Sequence, residues 1–217
     1  LNNIIIPEKV TQLGEYAFYY CKSIQVINIP KLVSSIGSFC FSYCEKLKEI
    51  EIPTSISRIL ENSFSYCHAL TSVSLPETIT GIDNNAFYYC NNLQVISIPQ
   101  SVTILGSSCF QSCSKLNNVT LRFGIQSLES SVFSLCSSLN SIFLPESINS
   151  IGYSSFSYCI SLTTVIIPSK ITTINSNTFY YCNNLVNVTI PDCVTNIYYS
   201  AFQHCIKLVL IPLPACL

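Results

Sequence analysis

The residues with the most chemistry to offer are cysteines. The chain of 217 residues has 13 of them and only two histidines. Such a set could cross-link the chain, hold a metal or supply a thiol nucleophile. Spacing decides among these. Nine cysteines stand 23 residues apart without insertion or deletion: Cys21, Cys44, Cys67, Cys90, Cys113, Cys136, Cys159, Cys182 and Cys205. A metal needs clustered ligands, but there is no Cys-x-x-Cys, and His68 and His204 are about six units apart. Cys40 precedes Cys44, and Cys109 precedes Cys113, only through the phase of the repeat. Adjacent members of the column would lie about 5 Å apart by Cα, within disulfide reach. Yet nine is an odd number, and a bond between touching units closes little additional loop. The column reads as buried free thiols acting as small hydrophobes. Cys193 and Cys216 share a phase in adjacent units and are the best-placed pair for a disulfide.

The other reactive groups are sparse. Asp83 and Asp192 are the only aspartates and lie in different units. Glu49 and Glu51 alternate on one segment beside Lys46 and Lys48, which is the pattern of a solvated charged face. No glycine-rich phosphate loop occurs. Paired carboxylates or a nucleophile with its base are therefore missing, and the chain reads as a non-enzyme without cofactor or metal. Charged residues make up 10%, against about 25% in an average soluble protein. Lys+Arg is 10 and Asp+Glu is 11, so the basic stripe that a nucleic-acid partner requires is absent. An apolar share of 49% excludes disorder. Mean hydropathy is positive, but Ser, Thr, Asn, Gly and Pro interrupt every apolar run well short of the ~18 residues of a membrane span. The sequence starts in mid-pattern at Leu1, without Met or a signal peptide, and is expected to be part of a longer chain.

The cysteines belong to a longer repeat. Three residues before each stands Phe18, Phe41, Phe64, Phe87, Phe110, Phe133, Phe156, Phe179 or Phe202. Three residues after each stands Leu or, in the first unit, Ile24. Proline follows nine residues after the cysteine in eight of nine units, and Arg122 is the exception. Within a unit such as Leu70-Thr71-Ser72-Val73-Ser74-Leu75-Pro76, Val73 and Leu75 alternate with serines, as in a strand with one buried face. Proline ends it, because it cannot donate to a ladder. Ile79 and Ile82 make a second short buried stretch. The segment Asn85-Ala86-Phe87-Tyr88-Tyr89-Cys90 then leads to Leu93, with apolar positions at i, i+1, i+4 and i+7 that predict one or two helical turns. A unit of 23 residues cannot close a core alone and must stack on its neighbours. The phenylalanines should then form an offset ring stack. Only small or slim residues precede them (Ala17, Cys40, Ser63, Ala86, Cys109, Val132, Ser155, Thr178 and Ala201), which implies tight space.

Leu70, Val73 and Leu75 match the strand signature Leu-x-x-Val-x-Leu of leucine-rich repeats. With proline after the strand and Ala-Phe-x-x-Cys before the next Leu, the unit resembles the BspA-like class of that family over the whole chain. The resemblance implies an α/β-type leucine-rich repeat solenoid over residues 1–217: a partial first repeat and nine further repeats, about ten short parallel strands on one face and short helical turns on the other. It also implies a non-catalytic surface antigen that adheres to a protein ligand, a host matrix or cell-surface protein. Tyr19-Tyr20-Cys21 and Ser65-Tyr66-Cys67 resemble the protist members. The position of the usual asparagine ladder departs from the family: it holds Lys9, Leu32, Ser55, Thr78, Ser101, Gly124, Ser147, Lys170, Cys193 and Cys216. The backbone groups of that turn must find other partners.

The strand face is the expected binding surface. Its central column is Asn28, Glu51, Ser74, Ser97, Thr120, Phe143, Ile166 and Thr189, flanked by Val26, Glu49, Ser72, Val95, Asn118, Ser141, Thr164 and Asn187. Phe143 and Ile166 are adjacent apolar members, and exposed apolar patches mark contact sites. Sequons at Asn118-Val119-Thr120 and Asn187-Val188-Thr189 share one strand phase. The column Tyr20, Tyr43, Tyr66, Tyr89, Tyr158 and Tyr181 reads as edge packing with a wet hydroxyl, the alternative being a sticky aromatic stripe. Localisation is expected at the cell surface. A cytoplasmic protein-interaction scaffold is the alternative, since abundant unpaired cysteine also fits a reducing interior.

Overall fold

The protein is described by a computed structural model over residues 3–209. Almost every coil contributes two strands. Three-residue strands follow the Leu of each unit: β1 (Asn3–Ile5), β3 (Val26–Asn28), β5 (Glu49–Glu51), β7 (Ser72–Ser74), β9 (Val95–Ser97), β11 (Asn118–Thr120), β14 (Thr164–Ile166) and β16 (Asn187–Thr189). Two-residue strands follow the proline turn: β2 (Gln12–Leu13), β4 (Ser35–Ile36), β6 (Arg58–Ile59), β8 (Gly81–Ile82), β10 (Ile104–Leu105), β12 (Ser127–Leu128), β13 (Ser150–Ile151), β15 (Thr173–Ile174) and β17 (Asn196–Ile197). All pairings are parallel and join residues 23 apart, as in Glu49 with Ser72 and Ser127 with Ser150. The longer strands form the ladders β1-β3, β5-β7-β9-β11 and β14-β16. The unit between β11 and β14 keeps only an isolated bridge from Ser141 to Thr164. The tenth expected strand lies outside the described residues. The shorter strands build a second sheet face from the second short buried stretch of each unit.

The helical turns expected before each cysteine are not there. Among the described residues there is no helix. Around Phe87, the N–H groups of Asn85, Phe87 and Tyr89 donate to Ser107, Cys109 and Gln111 of the next coil, at 2.9, 2.8 and 2.9 Å. The intervening Ala86, Tyr88 and Cys90 donate three residues back, at 3.3, 3.1 and 3.2 Å. Asn85 and Tyr89 are left-handed, with φ of 55° and 59°, and the same two phases are left-handed in every described coil. Left-handed residues cost about 1–2 kcal/mol each for L-amino acids. They turn every second N–H out of the coil, where a neighbour accepts it. A helix would send those N–H groups along its own axis and leave the coils unbonded there. The apolar spacing could not separate the two, because both arrangements bury Ala86, Phe87, Cys90 and Leu93.

Core columns follow from the stack. Phe41 to Phe179 are fully buried, and successive rings lie 5.2–5.8 Å apart within 18° of parallel. Phe18 and Phe202 are only partly buried. The small column is buried from Cys40 to Ala201. Its polar members turn the hydroxyl back onto a carbonyl, Ser63 onto Leu60 at 2.6 Å, Ser155 onto Gly152 at 2.7 Å and Thr178 onto Asn175 at 2.7 Å.

At four positions of the missing asparagine ladder a hydroxyl or thiol bonds the turn, whereas the buried Ser147 hydroxyl at the same phase has no partner among the described residues. Ser55 donates to Lys31 and Val33, Thr78 to Ile56, Ser101 to Glu77 and Ile79, and Cys193 to Ser169 and Ile171. Cys193 is a free thiol used in this way, and its expected partner Cys216 lies outside the described residues. Gly124 occupies the same phase in the unit that has Arg122 in place of proline. A Cβ there would meet the carbonyl oxygen of Gln100 at 1.7 Å. Restoring the common residue by Gly124→Ser is therefore expected to destabilise the protein, by about 1–3 kcal/mol as for other overpacked sites. Urea denaturation measures this, and an unchanged or raised midpoint would contradict the tight contact.

A sheet face with one interrupted rung

Alternation within each three-residue strand buries the middle side chain and exposes the two beside it. All eight residues of the central column, Asn28, Glu51, Ser74, Ser97, Thr120, Phe143, Ile166 and Thr189, are exposed on this face. The flanking column from Val26 to Asn187 is exposed too. The two columns carry carboxylates at Glu49 and Glu51 and no ionisable group from Ser72 onward. Such a face offers shape and hydrogen-bonding groups and little long-range charge.

Phe143 and Ile166 are neighbours on consecutive coils, and their side chains are 64% and 66% exposed. They border a shallow hollow of about 670 Å³, whose lining includes Asn118, Ser141 and Thr164. The hollow coincides with the unit whose ladder is reduced to the Ser141 bridge. The interruption was not readable from the pattern, since Ser141-Ile142-Phe143 alternates as the other strands do. Asn118 and Asn187 of the two sequons are exposed on this same face.

The structural columns stand behind the face. The carbonyl of each phenylalanine from Phe18 to Phe179 accepts the thiol of the next coil's cysteine. The series runs from Cys44 on Phe18 at 3.3 Å, through Cys90 on Phe64 and Cys136 on Phe110, to Cys205 on Phe179 at 3.1 Å. Cys67, Cys113, Cys159 and Cys182 repeat the bond on Phe41, Phe87, Phe133 and Phe156. Cys21, in the first full coil, is half-buried. Burial pushes the Cys44 thiol up to about 12 and that of Cys205 up to about 11. The thiols of Cys67, Cys90, Cys113 and Cys136 are raised for the same reason. A thiol held protonated and bonded is neither nucleophile nor metal ligand.

The tyrosine column forms two ring stacks. Tyr20, Tyr43, Tyr66 and Tyr89 lie 4.4, 4.2 and 5.2 Å apart in succession. Tyr158 and Tyr181 lie 4.9 Å apart, with His204 following at 4.1 Å. Ser112 and Leu135 separate the stacks. Partial burial raises the phenol pKa of Tyr43 and Tyr66. His68 packs edge-on against Tyr66 of the first stack, ring centroids 5.9 Å apart, with a ring nitrogen 3.1 Å from the Tyr89 carbonyl oxygen.

The pattern of the BspA type leucine rich repeat region matches residues 1–117 and 80–209, in six copies. The chain belongs to the BspA-type leucine-rich repeat family. Its coil also resembles solved structures. A leucine-rich repeat protein of T. pallidum is 29% identical with a TM-score of 0.71, over 74% of this chain and 78% of that one. One from Bacteroides ovatus is 28% identical with a TM-score of 0.69, over 98% and 75%. A protein of Faecalibacterium prausnitzii, described as a leucine rich cell surface protein, is 27% identical with a TM-score of 0.50, over 96% and 78%. No curated protein sequence matches the chain. Leucine-rich repeat proteins are generally protein-binding modules, and the family is typically a non-catalytic scaffold. Among the described residues, no group of three or more His, Cys, Asp or Glu could hold a metal, and no helix is long and apolar enough to cross a membrane.

Proposed function

We propose that this BspA-type solenoid is a surface-displayed adhesion module that binds a protein ligand of a host matrix or cell surface through the face centred on Phe143 and Ile166. The main support is the pairing of two large, exposed apolar side chains at the hollow where the ladder is interrupted. Exposed apolar residues on a face otherwise made of Ser, Thr and Asn fit the buried anchor of an interface, surrounded by a polar rim. The F. prausnitzii relative described as a cell surface protein supports the location. The chain is read as one solenoid domain.

Parallel pull-downs from host extracellular matrix and from cell lysate test this reading. Capture of a matrix protein by the native chain is expected. Loss of about 2 kcal/mol of binding is expected in Phe143→Ser with Ile166→Ser, the scale of a hot spot, with the melting temperature little changed. Capture that the double variant leaves intact would remove this patch from the function. A cytoplasmic scaffold is the second reading, favoured by the free cysteines, 12 of them among the described residues. Partner capture from the lysate alone, dependent on the same two side chains, would support it.

A further inference from the structure

The second sheet presents its own outward surface, remote in the coil from Phe143 and Ile166, and its two halves differ in chemistry. In the first half a hollow of about 490 Å³ is bordered by Arg58, Glu61, Asp83 and Glu129. Arg58 and Asp83 neutralise each other there in an ion pair. In the second half, over β13, β15 and β17, a hollow of about 390 Å³ has no charged residue in its lining. Its walls are Tyr153 and Tyr198, 57% and 51% exposed. Its floor includes Asn149, Ser150, Thr173 and Asn175.

The repeat explains why a slot opens at this place. Tyr153 and Tyr198 belong to coils two rungs apart, and Asn175 belongs to the coil between them. Two rungs are about 10 Å, so two rings are set on either side of a polar rung. The phase occupied by Tyr198 holds Gly152 next to Tyr153, which leaves no side chain to fill the space there. Asn175 is itself fixed, its amide donating to the Ile151 carbonyl at 2.7 Å. These tyrosines lie outside the two ring stacks.

We propose that this hollow is a binding site for a neutral saccharide. The ligand class follows from the lining. Aromatic faces take the C–H face of a sugar ring, and amide and hydroxyl groups take its hydroxyls. A lining without charge discriminates against ionic ligands, which would be desolvated without compensation. The volume falls in the range of about 300–1,000 Å³ typical of small-molecule sites. The site is independent of the protein-binding face and predicts that both can be occupied together.

The test is titration of the whole chain with lactose, cellobiose, maltose and N,N′-diacetylchitobiose, followed by ligand-observed NMR and calorimetry, with 3′-sialyllactose and uridine as controls. At least one neutral disaccharide is expected to bind in the millimolar range or tighter, and to do so better than either control. Tyr153→Ala and Tyr198→Ala should each weaken it by about fivefold or more. Phe143→Ser with Ile166→Ser should leave it unchanged, which separates failure of this site from failure of the protein-binding face. Both tyrosines are half-exposed, so the variants should keep the native melting temperature. No binding by any of the four disaccharides, binding indifferent to both tyrosine variants, or preferential binding of uridine would each overturn the assignment.

Discussion

Raising the pH from 8 to about 10.5 in the presence of a reductant is expected to unfold this protein. Among the described residues, ten cysteines are buried. An unfolded cysteine ionises near pH 8.5, whereas burial in the coil holds Cys44 protonated up to about 12 and Cys205 up to about 11. The folded form therefore binds more protons than the unfolded form between these values. Its stability is complete below about pH 8.5 and is lost as the pH climbs toward the folded values. Each buried thiol contributes about 1.4 kcal/mol of loss per pH unit in that window. Summed over the eight buried members of the column, one pH unit removes about 11 kcal/mol, within the 5–15 kcal/mol that holds a typical domain folded, so the transition should be steep. Urea midpoints measured by circular dichroism from pH 7 to 10.5 give the slope. Replacing Cys67, Cys90 and Cys113 together by alanine should flatten it, because three titrating groups are removed. A midpoint independent of pH up to 10.5 would show that the thiols are not sequestered as described.

Truncating the ring stack has the second large effect, and its size should depend on position. Phe87 is fully buried, between Phe64 and Phe110 at 5.4 Å on either side. Phe87→Ala opens a void that adjacent coils cannot close without breaking their own ladders. It is expected to cost about 3–5 kcal/mol. Phe18 is only partly buried and stacks on Phe41 alone, at 5.2 Å. Phe18→Ala should cost roughly half as much or less, by the scaling of cavity cost with lost burial. Equal losses at the two positions would mean that the rings do not share one continuous stack.

The repeat itself was readable, because a gapless register leaves one way to hide nine copies of an apolar face. The columns of Phe, Cys and small residues, the alternation in the strand and the exposure of its outer side chains all follow from period and size. The turn ladder was not readable. Ala86, Phe87, Cys90 and Leu93 point inward in a helical turn and in a run of tight turns alike. What decides between them is the left-handed backbone at Asn85 and Tyr89. Asparagine tolerates that conformation and tyrosine does not advertise it. Ser112 and Leu135 adopt the same conformation at this phase without a ring stack, so it is the backbone bonds between coils that hold it. The second sheet was hidden for a related reason: strands of two residues show no alternation to detect. On the binding face, Phe143 and Ile166 stood out as apolar departures from a polar column. The interrupted rung beside them had no sequence signature. Tyr153 and Tyr198 were missed because they occupy neither repeated column. Departure from a mostly small or polar phase was the signal that could have found them.

Alternate backbone bonds join the coils in the segment before each cysteine. Scalar couplings across hydrogen bonds in a labelled sample measure those bonds one by one. The predicted couplings run from the amide nitrogens of Phe64, Phe87 and Phe110 to the carbonyl carbons of Ala86, Cys109 and Val132, whose oxygens lie 2.9, 2.8 and 3.1 Å away. Couplings from these amides to carbonyls four residues earlier in the chain would show helical turns and contradict the stacked-coil structure.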